Sequence, residues 1–188
     1  MTGHHLILGE LTDAISGELL EDSHDERYRQ KIARILLSDK GFAKAEITPR
    51  IPLTVAAGNL RGRIRVDFLV AVGGRSAMMV KYGPGSLITR HRPALAMSRL
   101  LAAYQIPVVV VTNGLDADVL DGSSGRLSGR GFIALPDRFA LAEIVGRASF
   151  DPISPRRAEM EARIVYCYEI DGSCPCETDI CRLGEAEG

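Results

Sequence analysis

At 188 residues, 46% hydrophobic and 25% charged, the chain has the make-up of one soluble globular domain with room for a short appendage, long enough to bury a substantial core. A formal net charge of −1 excludes a global basic field, so any nucleic-acid contact must come from a local patch. Without Trp, and with five Phe and five Tyr, an aromatic platform for single strands is not indicated, and no apolar stretch approaches a membrane span. The start shows no basic leader, and its apolar run is cut by Gly9 and Glu10, so the expectation is a cytoplasmic protein whose thiols stay reduced.

Residues 1–22 read as a lead-in, with a weak short-helix signal over Leu11 to Leu20. A stronger signal follows at Ser23-His-Asp-Glu26, a capping-box pattern, with Tyr28, Ile32, Ile35 and Leu36 at helical spacing and Lys40-Gly41 as the stop. Glu26 in that first turn suits a cap contact and the helix dipole. Glu46 to Val55 alternates like a strand, and Pro49 and Pro52 push it toward a sheet edge. The stretch from Arg61 to Val72 is the most informative strand. Its period-two pattern sets Ile64, Val66, Phe68, Val70 and Val72 on one face and Arg63, Arg65 and Asp67 on the other. After Gly73-Gly74, Ser76 to Tyr82 forms the return strand, with Met79 and Lys81 sharing a face.

Thr89 to Tyr104 reads as a helix with Leu95, Met97, Leu100, Leu101 and Tyr104 apolar and Arg90, His91, Arg92 and Arg99 as basic decoration. Ile106 to Thr112 lacks alternation, as expected of a strand covered on both faces. Asp116, Asp118 and Asp121 flank turns and lack a calcium-loop pattern, and Val119 to Leu127 suggests a surface hairpin. Helices follow over Pro136 to Arg147, with Phe139 and Leu141 apolar, and from Pro155 toward Tyr166. The order predicts an α/β domain over residues 23–150 with a mixed sheet, an antiparallel hairpin joined by a helical crossover to a buried strand, and a helix and tail over 151–188.

If the hairpin closes around Gly73-Gly74, Lys81 approaches Asp67 on the polar face. A half-buried carboxylate is costly unless paired, hydrogen-bonded or metal-bound, so a salt bridge is the plain reading. The chemical reading is a phosphodiesterase skeleton: Asp67 binds a divalent cation, and Lys81 positions water or neutralises phosphate charge.

Glu26-Arg-Tyr-Arg-Gln-Lys31, Arg65-Val-Asp67, Val80-Lys81 with Gly83-Pro84, the helix ending in Tyr104 and the strand Val108 to Gly114 occur in an order that resembles the PD-(D/E)xK nuclease superfamily. The resemblance is closest to the N-terminal nuclease-like domain of type I restriction enzyme R subunits, over about Ser23 to Pro136. It implies a restriction-endonuclease-like mixed sheet flanked by helices, with Asp67 as the metal-binding carboxylate, Lys81 as the motif lysine, Glu26 as the assisting helix-borne acid, and magnesium as the cofactor. Arg63 and Arg65 would contact the DNA backbone. Where the family has Glu or Asp two residues before the lysine, this chain has Met79, a poor donor for a hard cation. The glutamine usual before the tyrosine is not evident near Arg99 and Leu100.

Cys167, Cys174, Cys176 and Cys181 are the only cysteines, gathered in a Cys-rich C-terminal tail. In a reducing compartment such clustering favours metal, with zinc ahead of an iron–sulfur cluster and disulfides or free thiols as the alternative. The expected function is a DNA-associated, restriction-endonuclease-like domain with a degraded or absent magnesium-dependent phosphodiesterase site. The alternatives are an active magnesium-dependent DNA endonuclease and a non-enzymatic metal-carrying regulatory or interaction protein. A protein partner in trans stays open, as does the oligomeric state.

Overall fold

The structure, a computed structural model, describes residues 6–171 and 180–183. The lead-in forms no helix. Short strands β1 (Glu10–Thr12) and β2 (Leu19–Glu21) pair antiparallel around a turn that Asp13 organises, its Oδ1 accepting from the backbone N–H groups of Ile15 at 2.8 Å and Ser16 at 2.7 Å. An Asp that bonds its own following backbone competes with helix formation, and Gly17, at φ +79°, completes the reversal.

Helix α1 (His24–Arg34) starts where its capping residues predict and runs on through a wider π-helical turn over Ile35–Asp39. A seven-stranded sheet follows, in the order β3 (Ile47–Ala57), β4 (Leu60–Val72), β5 (Arg75–Tyr82), β6 (Val108–Thr112), β7 (Ala117–Asp121), β8 (Leu127–Arg130), with β9 (Cys181–Leu183) alongside the first part of β4. The β5–β6 pair is parallel and the other neighbours are antiparallel. The parallel pair needs a crossover, which α2 (Ile88–Ser98) supplies. Helices α3 (Arg138–Arg147) and α4 (Pro155–Val165) complete a mixed α/β fold consistent with a restriction-endonuclease-like architecture.

Alternate residues of β6 define the two faces. Val108 and Val110 join one core with Ile32, Leu36 and Leu141, from α1 and α3; Val109 and Val111 join a second with Met97 and Val165, from α2 and α4. The lack of alternation in the sequence is explained, since β6 is buried on both sides. The strand β7 is buried too, so the expected surface hairpin is covered over its first arm. Phe139, in contrast, is 79% exposed, leaving Leu141 as the fully buried apolar anchor of α3.

Strand β4 departs from a simple two-faced strand. Ile64 and Val66 pack in the second core, while Phe68, Val70 and Val72 pack in the first. The change falls at Asp67, and the facing residue of β3, Arg50, has φ +53°. A non-glycine residue in that region costs about 1–3 kcal/mol. Pro49 and Pro52 sit on the edge strand as expected.

Among the described residues no helix is long and apolar enough to cross a membrane. Gly122, at the end of β7, is packed so closely that an added Cβ would lie 1.8 Å from the Ile106 carbonyl oxygen. That oxygen belongs to backbone and cannot swing aside. Gly122→Ala is therefore expected to lose on the order of 3 kcal/mol or more, measured by chemical denaturation; an unaltered midpoint would contradict this packing.

Candidate functional site

The site begins with the cap of α1. Ser23 Oγ accepts from the Glu26 backbone N–H at 3.2 Å, which fixes the first turn and the direction of its side chains. The expected reciprocal contact from Glu26 to the cap does not form. Glu26 instead turns inward, its Oε1 accepting from Gln30 Nε2 at 2.9 Å and Arg50 Nη2 at 2.8 Å. One turn on, Arg29 lies on the same helix face and spans two carboxylates: Nε is 2.7 Å from Asp67 Oδ1, and Nη1 is 3.6 Å from Glu26 Oε2.

Asp67 is 5% exposed and surrounded by donors. Besides Arg29, its Oδ2 accepts from the Tyr82 backbone N–H at 2.8 Å and faces Lys81 Nζ at 3.3 Å. Antiparallel pairing of β4 with β5 places Lys81 there, as the hairpin predicts. Burial pushes the Asp67 carboxyl up, but the charges of Lys81 and Arg29, with the hydrogen bonds from Arg29 and Tyr82, outweigh it and hold the group below the usual carboxylate range. Asp67 is thus a carboxylate at neutral pH. Lys81 also donates to the Arg65 carbonyl oxygen at 3.3 Å, which ties its amine to the strand it faces.

A second set of contacts extends the network. Arg50 Nη1 reaches Asp13 Oδ2 at 2.8 Å while its other terminal nitrogen holds Glu26, and Gln30 bridges Glu26 to Asp13 Oδ2 at 3.0 Å. Gln30 Oε1 in turn accepts from the Ala14 backbone N–H at 2.8 Å. Three carboxylates, Asp13, Glu26 and Asp67, therefore meet three cations, Arg29, Arg50 and Lys81. A cavity of about 210 Å³ opens at this cluster, bordered by Glu21, Glu26, Arg29, Arg50, Arg65 and Asp67.

The structure brings Asp67, Lys81 and Glu26 together, joined through Arg29. Arg63 and Arg65 lie exposed on β4, two residues apart and next to Asp67. The residues that sequence reasoning missed are Arg29, Arg50, Asp13 and Gln30. Arg29 was recoverable from its three-residue spacing to Glu26; Arg50 and Asp13 come from distant segments with no local signal. Met79 is fully buried among Met97, Val109 and Val111. The donor set does not suit a hard divalent ion as it stands. Such an ion wants several oxygen ligands, whereas position 79 offers a core thioether and the cation between Asp67 and Glu26 is a guanidinium.

The tail is described only in part. Cys167 and Cys181 are exposed with free thiols, and β9 places Cys181 opposite Arg63. Cys174 and Cys176 lie outside the described residues.

The network carries a pH signature. Burial raises the Asp13 carboxyl, but the Ser16 amide, Gln30, Arg50 and the Ile15 amide together bring it down to about 2. A folded-state value below the unfolded one stabilises above the unfolded value and is lost as pH falls toward the folded value. Asp13 thus contributes roughly 2 kcal/mol near neutrality, lost between about pH 4 and pH 2. Asp13→Asn is expected to lower stability at neutral pH by about that amount and to flatten the acid limb. Denaturation curves across that range check it; an acid limb identical to the wild type's would remove Asp13 from the network.

A family model described as type I restriction enzyme R protein N terminus matches residues 24–136, from the start of α1 past β8, and so includes Glu26, Asp67 and Lys81. Comparisons with curated proteins and with solved structures give no match. With more than half of its residues matched, the chain belongs to the family of type I restriction enzyme R protein N termini.

Proposed function

We propose that this is a DNA-associated, restriction-endonuclease-like module, a PD-(D/E)xK relative whose phosphodiesterase centre is closed by ion pairs, so that it contacts duplex DNA without cutting it. The observation that carries this reading is the Arg29 guanidinium between Asp67 and Glu26. A fixed organic cation balances buried carboxylates but does not lower the pKa of a bound water, so it cannot replace magnesium in making a nucleophile. Met79 in the core deepens the loss, because a carboxylate there would have to be buried.

DNA contact is assigned to β4. Arg61, Arg63 and Arg65 are exposed at alternate positions, which sets a row of guanidinium groups along the strand beside the cavity. Such groups bind phosphates without reading bases, so the affinity should be general for duplex and steep in salt. A cytoplasmic address and a partner protein in trans fit a family named for one subunit of a restriction enzyme.

The test combines three measurements. Calorimetry with magnesium and with manganese should show no saturable binding, and supercoiled plasmid should stay intact with either ion. Duplex binding by fluorescence anisotropy should weaken on Arg63→Ala with Arg65→Ala, equally across sequences, with the salt slope reduced by about two. Nicking that requires a divalent ion and disappears in both Asp67→Ala and Lys81→Ala would instead establish an active endonuclease, the reading favoured by the Lys81–Asp67 contact. Zinc or an iron–sulfur cluster on Cys167, Cys174, Cys176 and Cys181 is a separate proposal resting on their clustering, checked by metal analysis of wild type and Cys174→Ser/Cys176→Ser.

A further inference from the structure

A second, larger cavity of about 720 Å³ lies between α2 and α4 and shares no lining residue with the Asp67 cluster. Its wall carries Arg92 from α2, Arg99 at the C-terminal cap of that helix, and Arg156 and Arg157 from α4, against one lining carboxylate, Glu161. Glu161 is 2% exposed and pairs with Arg99 at 2.7 Å, Arg92 at 2.5 Å and Arg157 at 3.5 Å. One buried anion therefore organises three guanidinium groups, while Arg92 and Arg157 each keep a side chain 45% exposed to solvent. Four arginines against one glutamate leave an excess of three positive charges. The remaining titratable lining group, His91, is occupied by Asp118 at 2.7 Å.

Two independent features point to an anion at this wall. Arg99 Nε is buried without a hydrogen-bond partner among the described residues. A buried donor left unpaired is costly, and native structures seldom leave one without a reason. Arg156 and Arg157 also occupy the first turn of α4, where no acid is present. The helix dipole places positive charge at that end, so two arginines there oppose it, and an anion would relieve both.

From this geometry we infer that the cavity binds a small molecule bearing a phosphate chain, of nucleotide size. Arginine forks match phosphate oxygens bidentately, and the volume lies in the range of small-ligand sites. Leu95 and Met160 supply an apolar wall beside the arginines, against which a base or other flat group can rest. A concave cavity with an anchoring carboxylate at its floor suits a compact ligand better than the convex run of phosphates along a duplex. The inference rests on α2 and α4 and is independent of whether Asp67 supports cleavage.

Calorimetric titration of the full chain with ATP, with sodium tripolyphosphate and with a short DNA duplex tests it. ATP and tripolyphosphate should each bind saturably at one site, and Arg156→Ala/Arg157→Ala should weaken both by about a hundredfold, tenfold or more per arginine. Arg156 is exposed, so Arg156→Ala alone should leave the thermal midpoint nearly unchanged, whereas the double variant, which also loses the Arg157–Glu161 contact, should show a modest decrease with Arg92 and Arg99 still holding the carboxylate. Met160→Glu, which sets a carboxylate in the mouth, should weaken binding without touching the arginines. Tighter binding of ATP than of tripolyphosphate would assign part of the affinity to the nucleoside; equal binding would assign it to the phosphate chain alone, and both support the proposal. No binding of either, or binding that survives the double substitution, overturns it. So does a double variant that loses only duplex binding, since the arginines would then be a DNA backbone contact.

Discussion

The centre of this fold depends on burying one carboxylate. Removing Asp67 from water costs several kcal/mol unless charge and hydrogen bonds replace the lost solvent. Arg29 from α1, Lys81 from β5 and the Tyr82 amide do so together. Each of these partners is itself held. Tyr82 stacks on Tyr28 with ring centroids 5.9 Å apart, its hydroxyl donates to Asp25 at 2.9 Å, and the Arg29 guanidinium lies 5.3 Å from its ring. Asp67 thus links helix α1 to the β4–β5 hairpin through contacts made at one point, and shifting any of the three elements would strand a buried charge.

The neighbouring carboxylates impose a second constraint, which the backbone accommodates with strain. Arg50 adopts a left-handed conformation in the middle of an edge strand, and its guanidinium joins Asp13 to Glu26. The local cost is offset by two short ion pairs in a protected site. At this level β3 and β4 also pass their apolar side chains from one core to the other, so the polar cluster lies where the two layers meet. A hydrophobic residue at position 50 would face a cluster of carboxylates, while a straight strand would point the guanidinium elsewhere.

Much of this was legible in the sequence. The Ser23 cap and the edge character conferred by Pro49 and Pro52 follow from local chemistry and stand in the structure, as do, over shorter spans, the central strand read over Ile106 to Thr112 and found over Val108–Thr112, and the crossover helix read over Thr89 to Tyr104 and found over Ile88–Ser98. The approach of Lys81 to Asp67 was also readable, because two glycines fix the hairpin. What was not readable is long-range or depends on geometry. Asp13 meets Arg50 across distant segments, and no spacing rule encodes a pair of that kind. Period two predicts one face for Ile64 through Val72, but on the long strand the apolar side chains pass from one core to the other at Asp67. Glu26 was assigned to the cap by propensity and taken from it by Arg50 and Gln30, which offer charge and burial that a cap contact lacks.

Charge balance separates the two polar centres of the molecule. Around Asp67 three buried carboxylates meet three half-buried cations at close range, so the charges of the cluster largely balance within it. Between α2 and α4 one carboxylate meets four arginines, and the surplus faces an open cavity. Because the Arg29 guanidinium is covalently attached, it neutralises the neighbouring carboxylates at any metal concentration. The surplus of positive charge therefore lies outside the Asp67 cluster, on the exposed arginines of β4 and along the α2–α4 cavity.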